Sequence, residues 1–270
     1  MGADVPRALT IAGSDSGGGA GIQADLKTFS ALGVFGMTAI TAVTVQNTKG
    51  VSGYEKLSPE VVGAQIRAVA ADIGVDAAKT GMLASAEIVA AVADAVRETG
   101  IEHLVVDPVF MSKHGHPLLQ EDAVQALRKR IVPLAAVVTP NLPEAEGLVG
   151  FAVRTRDDMK RAGEALVGLG ARSALVKGGH LEGGRASDLF FDGDCMEWVE
   201  AERIDTANTH GTGCVLSAAI AAHLARGEET LQAATKGKAF VTEAIRGALA
   251  LGQGIGPVNP MASVWARPPA

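Results

Sequence analysis

A polar turn with two glycines leads directly into an apolar, helix-like segment near the C-terminal end of the chain. The turn reads Asn-Thr-His-Gly-Thr-Gly-Cys over residues 208–214, and the apolar segment covers residues 215–222. The first amides of a helix lack partners within the helix, and the helix dipole adds partial positive charge there, so a phosphate can approach the backbone at glycines. We predict an anion site in this turn, called the anion turn below. Cys214 then lies where a reacting oxygen would pass. A structural interpretation is equally open for this segment alone, because a buried cysteine usually behaves as a small hydrophobe.

Other residues could complete a site for phosphoryl transfer. Such a site needs donors around the moving phosphate, a divalent cation and a positive charge near the developing negative charge. Lys177 ends an apolar run, and Asp107 and Glu144 carry oxygen ligands of the kind that Mg²⁺ binds. Each has a structural alternative, since Lys177 could be a strand-end charge and the spacing of Asn141 and Glu144 also suits a helix cap.

Nucleotide-binding motifs of the two most familiar kinds are absent from the sequence. It contains neither G-x-x-x-x-G-K-[ST] nor G-x-G-x-x-G. Residues 13–21, called the glycine loop below, are rich in glycine, but a tight strand-to-helix turn explains them as well as ligand contact does.

Strand-like and helix-like segments alternate along most of the chain, which predicts a mostly parallel sheet covered on both faces by helices. Loops at the carboxyl ends of parallel strands meet at one edge, where such sheets bind ligands. Predicted strands cover residues 8–12, 38–45, 76–80, 103–107, 136–139 and 173–177, with a hairpin at 187–191 and 196–199. Predicted helices cover residues 22–29, 59–71, 85–99, 121–131, 142–149 and 155–169, and two long helices follow the anion turn. Five polar clusters are expected at the ligand edge: the glycine loop, residues 46–48, Asp107 with Pro108, Asn141 with Glu144, and residues 177–180.

Composition narrows the class of protein. A chain of 270 residues with 47% apolar residues can form one α/β domain. The net charge of -6 argues against a nucleic-acid partner, which requires a basic face. Only two cysteines occur, no signal-like N-terminus is present, and no apolar run approaches the roughly 20 residues that span a bilayer. We expect a cytoplasmic protein without a membrane segment.

Several motifs together resemble the hydroxymethylpyrimidine kinase/phosphomethylpyrimidine kinase family of thiamine biosynthesis, and they follow one another over nearly the whole chain. The resemblance implies a three-layer α/β/α ribokinase-like fold with a mostly parallel central sheet, formed by residues 1–270 as a single kinase domain. It also implies ATP as co-substrate, Mg²⁺ and a homodimer. The motifs lie at residues 12–15, 18–25, 46–48, 79–82, 139–145, 177–180 and 208–214.

The same resemblance implies a role for each matching residue. Substrate would be 4-amino-5-hydroxymethyl-2-methylpyrimidine and then its monophosphate, with Gln46 reading the aminopyrimidine edge through its donor and acceptor. For Asp25 an exposed surface acid, and for Met82 a core residue, are the alternatives. The implied substrate-side residues are Gln46, Gly13, Asp25, Met82 and Val109; the phosphate-side residues are Lys177, Asn141, Thr212, Gly211 and Gly213; the metal ligands are Asp107 and Glu144; and the catalytic residues are Cys214, Lys177, Gly211 and Gly213.

Cys214 stands where sugar kinases of the same superfamily carry a catalytic aspartate, which suggests a base for the hydroxymethyl group. We expect the helix N-terminus to lower the pKa of its thiol. The chain departs from the family at Gly17, Phe110 and Pro260, and Phe110 could alter how the substrate pocket closes. Residues 178–184 are a candidate lid, and the roles of His180 and His210 are not evident from the sequence.

Two other functions remain open at this point. A pyridoxal or pyridoxine kinase would share the fold, the phosphate site and the hydroxymethyl acceptor, although Gln46 and the glycine loop favour the pyrimidine. A non-catalytic sensor of pyrimidine or nucleotide would keep the pocket but has no need for Lys177, Asp107, Glu144 and Cys214 together.

Overall fold

Nine strands form one sheet in the computed structural model of the chain, which describes residues 5–110, 120–179 and 185–265. The strands are β1 (Arg7–Ser14), β2 (Phe35–Asn47), β3 (Gly50–Lys56), β4 (Ala77–Thr80), β5 (Leu104–Val106), β6 (Ala135–Val138), β7 (Ala174–Lys177), β8 (Arg185–Phe191) and β9 (Met196–Glu202). Their order across the sheet is β3-β2-β1-β4-β5-β6-β7-β8-β9. The six central strands, in sheet order β2, β1, β4, β5, β6 and β7, pair in parallel. At one edge β3 is antiparallel to β2, and at the other edge β8 is antiparallel to β7 and β9 is antiparallel to β8.

Helices cover both faces of this sheet and complete three layers. The helices are α1 (Gly21–Ala31), α2 (Pro59–Asp72), α3 (Ala86–Thr99), α4 (Glu121–Arg130), α5 (Leu142–Val149), α6 (Arg156–Gly168), α7 (Thr212–Ala225), α8 (Thr230–Arg246) and α9 (Ala262–Trp265). Apolar side chains of α2 to α6 form a core on one face of the sheet, and those of α1, α7 and α8 form a second core on the other face. The predicted α/β/α architecture with a mostly parallel sheet is confirmed.

The edge strand β3 was not predicted. Its sequence, GVSGYEK, contains two glycines and is mostly exposed, so it lacks the alternation of apolar and polar residues that marks a half-buried strand. Because β2 pairs with β3, it extends to Asn47, two residues beyond the predicted end. Gln46 therefore lies within a strand and not in the loop that follows it.

Helix α7 explains why its sequence is apolar on every side. All residues from Val215 to Leu224 are buried, because the helix lies between β1, β4 and β5 on one side and α1 and α8 on the others. It begins after Gly211, which has a left-handed φ of 84°, and no side chain caps its N-terminus. A Cβ at Gly211 would collide with the carbonyl oxygen of Gly19, so only glycine lets the anion turn approach the glycine loop this closely.

Candidate active site

Three of the predicted charged residues meet beside the N-terminus of α7. Nζ of Lys177, the last residue of β7, lies 3.1 Å from Oδ1 of Asp107 and 3.8 Å from Oε2 of Glu144. A Cβ built on Gly213 would be 3.5 Å from Nζ of Lys177 and 3.6 Å from Oδ2 of Asp107. The carboxyl ends of β5 and β7 and the first turn of α5 thus bring one ammonium and two carboxylates against the anion turn.

Negative charge exceeds positive charge in this cluster. Burial, together with the nearby charge of Asp107, raises the pKa of Glu144 to about 7 even though Lys177 opposes the change. Burial alone would lower the pKa of Lys177, but the carboxylates of Asp107 and Glu144 outweigh it and raise that pKa. An additional cation would relieve the crowding of the two carboxylates.

The donor set therefore fits Mg²⁺. No cluster of three or more His, Cys, Asp or Glu ligands occurs in the described part of the chain, which leaves Asp107 and Glu144 as a two-carboxylate set. Mg²⁺ is commonly held by one or two carboxylates and completes its shell with water and substrate phosphates.

Asn141 and Glu144 form a complete capping box at the start of α5. Oδ1 of Asn141 accepts from the amide of Glu144 at 2.9 Å, and Oε2 of Glu144 accepts from the amide of Asn141 at 2.8 Å. The structural alternative for this pair is thus present. It does not conflict with a site role, because the same bonds hold the Glu144 carboxylate beside Lys177.

Cys214 lies in the first turn of α7, where its half-buried side chain packs against the core on the α1, α7 and α8 face. Its surroundings oppose ionisation. Burial, together with the carboxylates of Asp25 and Asp107, raises the pKa of the thiol to about 11, while the ammonium of Lys79 and the amide of Gly21 only partly offset this. The expectation of a lowered pKa is therefore wrong, because desolvation and two carboxylates outweigh the ammonium of Lys79 and the amide of Gly21.

Asp25 is fully buried, so the exposed-acid alternative does not apply. Its carboxylate lies 3.0 Å from Nζ of Lys79, which is buried as well, and the hydroxyl of Thr10 donates to it at 2.6 Å. The charge of Asp25 raises the pKa of Lys79 against the effect of burial. Sequence analysis did not assign a role to Lys79, although its motif was noted, because nothing in its spacing shows a partner 54 residues away.

Gly13 and Met82 adjoin each other at the ends of β1 and β4. A Cβ on Gly13 would lie 3.4 Å from Sδ of Met82, whose side chain is part of the core on the α2 to α6 face. Val109 is half-buried and follows Asp107, to whose carbonyl oxygen its amide donates at 2.9 Å. Met82 therefore packs in the core, as its structural alternative proposed, and Val109 adjoins the polar cluster through Asp107.

Gln46 belongs to a polar network that the sequence did not reveal. Nε2 of His210 lies 2.9 Å from Oδ2 of Asp15 and 3.3 Å from Nε2 of Gln46. The Asp15 carboxylate also accepts from the amides of Gly17, Gly19 and Ala20 and so organises the glycine loop. Asp15 and His210 are 195 residues apart, and the only sequence signal was that each stands in a polar motif.

The candidate lid is described only in part, and a cavity lies apart from the predicted site residues. In the candidate lid, residues 180–184, including His180, lie outside the described residues; the amide of Gly178 donates to Asp188 at 3.0 Å. A cavity of about 760 Å³ lies along α8 and β9, and it is lined by none of the predicted site residues.

The family is decided by the match along the chain. Residues 15–259 match the family described as phosphomethylpyrimidine kinase. The chain belongs to this family. The resemblance noted in the sequence and the assignment to the phosphotransferases are confirmed.

Individual relatives agree with the family match. A hydroxymethylpyrimidine/phosphomethylpyrimidine kinase from Rhizobium meliloti is 53% identical over 261 residues, which cover 96% of this chain and 98% of the relative. Among solved structures, the ADP complex of Bacillus subtilis pyridoxal kinase superposes with a TM-score of 0.90 at 41% identity, covering 97% of this chain and 99% of its own. A phosphomethylpyrimidine kinase from Clostridium difficile superposes with a TM-score of 0.79 at 46% identity, covering 88% and 99%. The ribokinase-like fold expected from the sequence is therefore confirmed.

Within the residues that the structure describes, every helix is too short or too polar to cross a bilayer.

Proposed function

We propose that this protein transfers the γ-phosphoryl group of ATP to the hydroxymethyl oxygen of 4-amino-5-hydroxymethyl-2-methylpyrimidine and then phosphorylates the monophosphate to the diphosphate. The observation that carries the proposal is the cluster of Lys177, Asp107 and Glu144 beside the uncapped N-terminus of α7, in a chain that belongs to the phosphomethylpyrimidine kinase family. ATP as phosphoryl donor is further supported by the pyridoxal kinase relative that binds ADP.

The phosphate side of the site follows from its charges. In the first step the acceptor oxygen bonds to the γ-phosphorus, the bond from that phosphorus to the bridging oxygen of the β-phosphate breaks and ADP leaves, and the hydroxyl proton passes to water. Amides of Gly211, Thr212 and Gly213 and the ammonium of Lys177 would hold the moving phosphoryl group, with Asn141 at its side. Asp107 and Glu144 would hold Mg²⁺, which neutralises phosphate charge when it is bound.

The acceptor side would be read by the residues around the glycine loop. Gln46 would pair with the amino group and ring nitrogen of the pyrimidine, and Gly13, Met82 and Val109 would line its apolar edge. Asp25, held by its ion pair with Lys79, would also line the substrate side of the site. Cys214 would contact the hydroxymethyl group, with its thiol protonated before substrate binds.

A direct assay tests this assignment. The purified protein is supplied with ATP, Mg²⁺ and, in separate reactions, the hydroxymethylpyrimidine, its monophosphate and pyridoxal, and products are identified by mass spectrometry. We expect conversion of the pyrimidine to the monophosphate and then to the diphosphate, and loss of both steps when Mg²⁺ is chelated. Binding of the pyrimidine without turnover would instead favour a sensor.

Pyridoxal phosphorylation is the second candidate activity. It is favoured by the pyridoxal kinase from Bacillus subtilis, which superposes at a TM-score of 0.90 while the phosphomethylpyrimidine kinase superposes at 0.79. The two candidates differ in the second step, because pyridoxal phosphate has no counterpart of the pyrimidine diphosphate. Turnover of pyridoxal together with inert pyrimidine monophosphate would replace our proposal with this one.

We also propose that residues 1–270 act as a single kinase domain and assemble as a homodimer in the cytoplasm, without nucleic acid or membrane as partners. One continuous nine-stranded sheet supports the single domain.

Val43 and Val45 expose apolar side chains at the β2–β3 edge, by 49% and 64%, and a second copy could cover them. Both cysteines are free thiols, as in a reducing compartment. Light scattering coupled to gel filtration tests the dimer, which Val45→Lys should weaken.

A further inference from the structure

His210 occupies a position between the glycine loop and Gln46 that the proposed chemistry does not use. The imidazole is buried, with Nε2 2.9 Å from Oδ2 of Asp15 and 3.3 Å from the side-chain amide of Gln46. Its backbone is fixed on both sides, because its amide donates to Gly256 at 3.1 Å and its carbonyl oxygen accepts from Val258 at 3.0 Å. The ring packs so closely on Gly19 that a Cβ there would clash with it.

The hydrogen bonds of Asp15 determine which atom of His210 carries hydrogen. The Asp15 carboxylate accepts from the amides of Gly17 at 2.8 Å, Gly19 at 3.1 Å and Ala20 at 2.8 Å. Burial opposes the charge of this carboxylate, but the hydrogen bonds from His210 and from the amides outweigh burial and lower its pKa. An ionised carboxylate only accepts, so His210 must donate to it through Nε2–H.

A committed donor at His210 in turn settles the orientation of the Gln46 amide. One end of that amide lies 3.3 Å from Nε2 of His210, and the other end lies 3.2 Å from Oγ1 of Thr44. The Thr44 hydroxyl gives its hydrogen to the carbonyl oxygen of Ser14 at 2.8 Å. The oxygen and nitrogen of a glutamine amide are assigned from their partners. The one hydrogen on Nε2 of His210 is directed at Asp15, so an amide nitrogen of Gln46 on that side would place two donors against each other. With Oε1 on the His210 side and Nε2 on the Thr44 side, the amide avoids this and donates to the Thr44 oxygen.

We propose that His210 is a specificity-determining positioning residue, held as a donor by Asp15, which makes Gln46 present its acceptor on the His210 side and its donor on the Thr44 side. This inference rests on the proposed function, in which Gln46 reads the substrate edge. A 4-aminopyrimidine matches this order, since its amino group donates and its neighbouring ring nitrogen accepts. The 4-oxo analogue has the reverse order, because its carbonyl accepts and its ring nitrogen carries hydrogen. The site therefore selects amino over oxo pyrimidines.

Steady-state kinetics of His210→Leu with both pyrimidines test the proposal. Leucine removes the donor that excludes the reversed amide, and Thr44 can then donate to Oε1 of Gln46 instead of to Ser14. We therefore expect the preference for the amino over the oxo substrate in kcat/KM to fall by about tenfold, through a lower KM for the oxo compound. His210→Gln keeps an N–H donor toward Asp15 and should retain most of the preference. Equal losses for both substrates in His210→Leu, with the preference unchanged, would overturn the proposal.

A second measurement needs no disruptive variant. The nitrogen chemical shifts of the His210 ring, assigned by comparison with His210→Gln, report which ring nitrogen carries hydrogen in the wild-type protein. Hydrogen on Nε2 supports the proposal, and hydrogen on Nδ1 alone contradicts it even if His210→Leu does not fold. If the wild type phosphorylates neither pyrimidine while Nε2 carries hydrogen, the proposed substrate is wrong but the orientation of Gln46 stands.

Discussion

Cys214 shows how burial changes the chemistry of a side chain at a helix N-terminus. With a pKa of about 11 its thiol is protonated at neutral pH, so little thiolate is available to accept a proton before substrate binds. Phosphoryl transfer through a loose transition state asks little of a base, and positioning by amides and cations dominates. The thiol is therefore expected to assist the alcohol step modestly rather than to drive it.

Cys214→Ala should slow the first phosphorylation by about tenfold, less than the hundredfold or more of a strong general base, and the second by no more than about twofold. The first acceptor is an alcohol that loses a proton, whereas the second is already an ionised phosphate. Single-turnover rates with the pyrimidine and with its monophosphate measure the two steps separately. Equal losses in both steps would assign Cys214 a purely structural role.

Gly213 provides a contrasting test, because its amide should serve both steps. A Cβ at this position fits without a clash, 3.5 Å from Nζ of Lys177, so Gly213→Val should fold but fill the space of the phosphoryl group. We expect kcat to fall by about a hundredfold in both phosphorylations, comparable to the loss of one oxyanion donor. Gly168→Ala at the end of α6, where a Cβ meets nothing, is the matched control and should behave as wild type. Wild-type turnover in Gly213→Val would remove the anion turn from the mechanism.

At the scale of elements, the N-terminal cap of the short helix α5 positions a charged residue of the site. The capping box of α5 fixes Glu144 beside Lys177, while Ser58 caps α2, which carries none of the predicted site residues, by accepting from the amide of Val61 at 3.3 Å. Removing either cap should cost about 1 kcal/mol of stability. Only the cap of α5 also orients a carboxylate of the site.

Asn141→Ala and Ser58→Ala therefore form a matched pair. We expect similar decreases in the thermal midpoint, but a loss of activity, about tenfold at limiting Mg²⁺, in Asn141→Ala alone, because loss of the bond from the Glu144 amide loosens the first turn of α5, which holds Glu144 beside Lys177. Urea unfolding and activity titrated with Mg²⁺ provide the two readouts. Equal activity of the two variants would show that the capping box is only structural.

The sequence predicted the elements better than it predicted their contacts. Helix periodicity and the loops at strand ends located Lys177, Asp107 and Glu144 at one edge, since these follow from local patterns. Strand β3 and the position of Gln46 within β2 were not predicted, because β3 lacks the alternation of apolar and polar residues that marks a strand. The raised pKa of Cys214 also escaped, since it depends on burial and on Asp25, which no spacing places nearby.

At the scale of the whole molecule, the pair Asp15 and His210 joins the first loop of the chain to its last third. Asp15 follows β1, and His210 precedes α7 and is bonded through its backbone to Gly256 and Val258. The Asp15 carboxylate therefore connects the glycine loop to the anion turn, and the backbone of His210 connects the anion turn to residues 256–258. Closing a loop of this length costs conformational entropy, and the hydrogen bonds of Asp15 offset part of that cost.

The stability contributed by Asp15 should depend on pH in a defined direction. Its pKa is lowered from 3.8, because the hydrogen bonds of His210 and of the loop amides overcome burial, so its contribution is complete above the unfolded value and is lost as pH falls through the folded one. Asp15→Asn should therefore lower the thermal midpoint at pH 7, and the difference from wild type should shrink as pH falls below about 4. Differential scanning calorimetry across this range measures it. Asp72→Asn, an equal change of charge at the exposed end of α2, is the control and should show only a small difference. A difference for Asp15→Asn that stayed constant down to pH 2 would mean that shape, and not the charge of the carboxylate, holds the loops together.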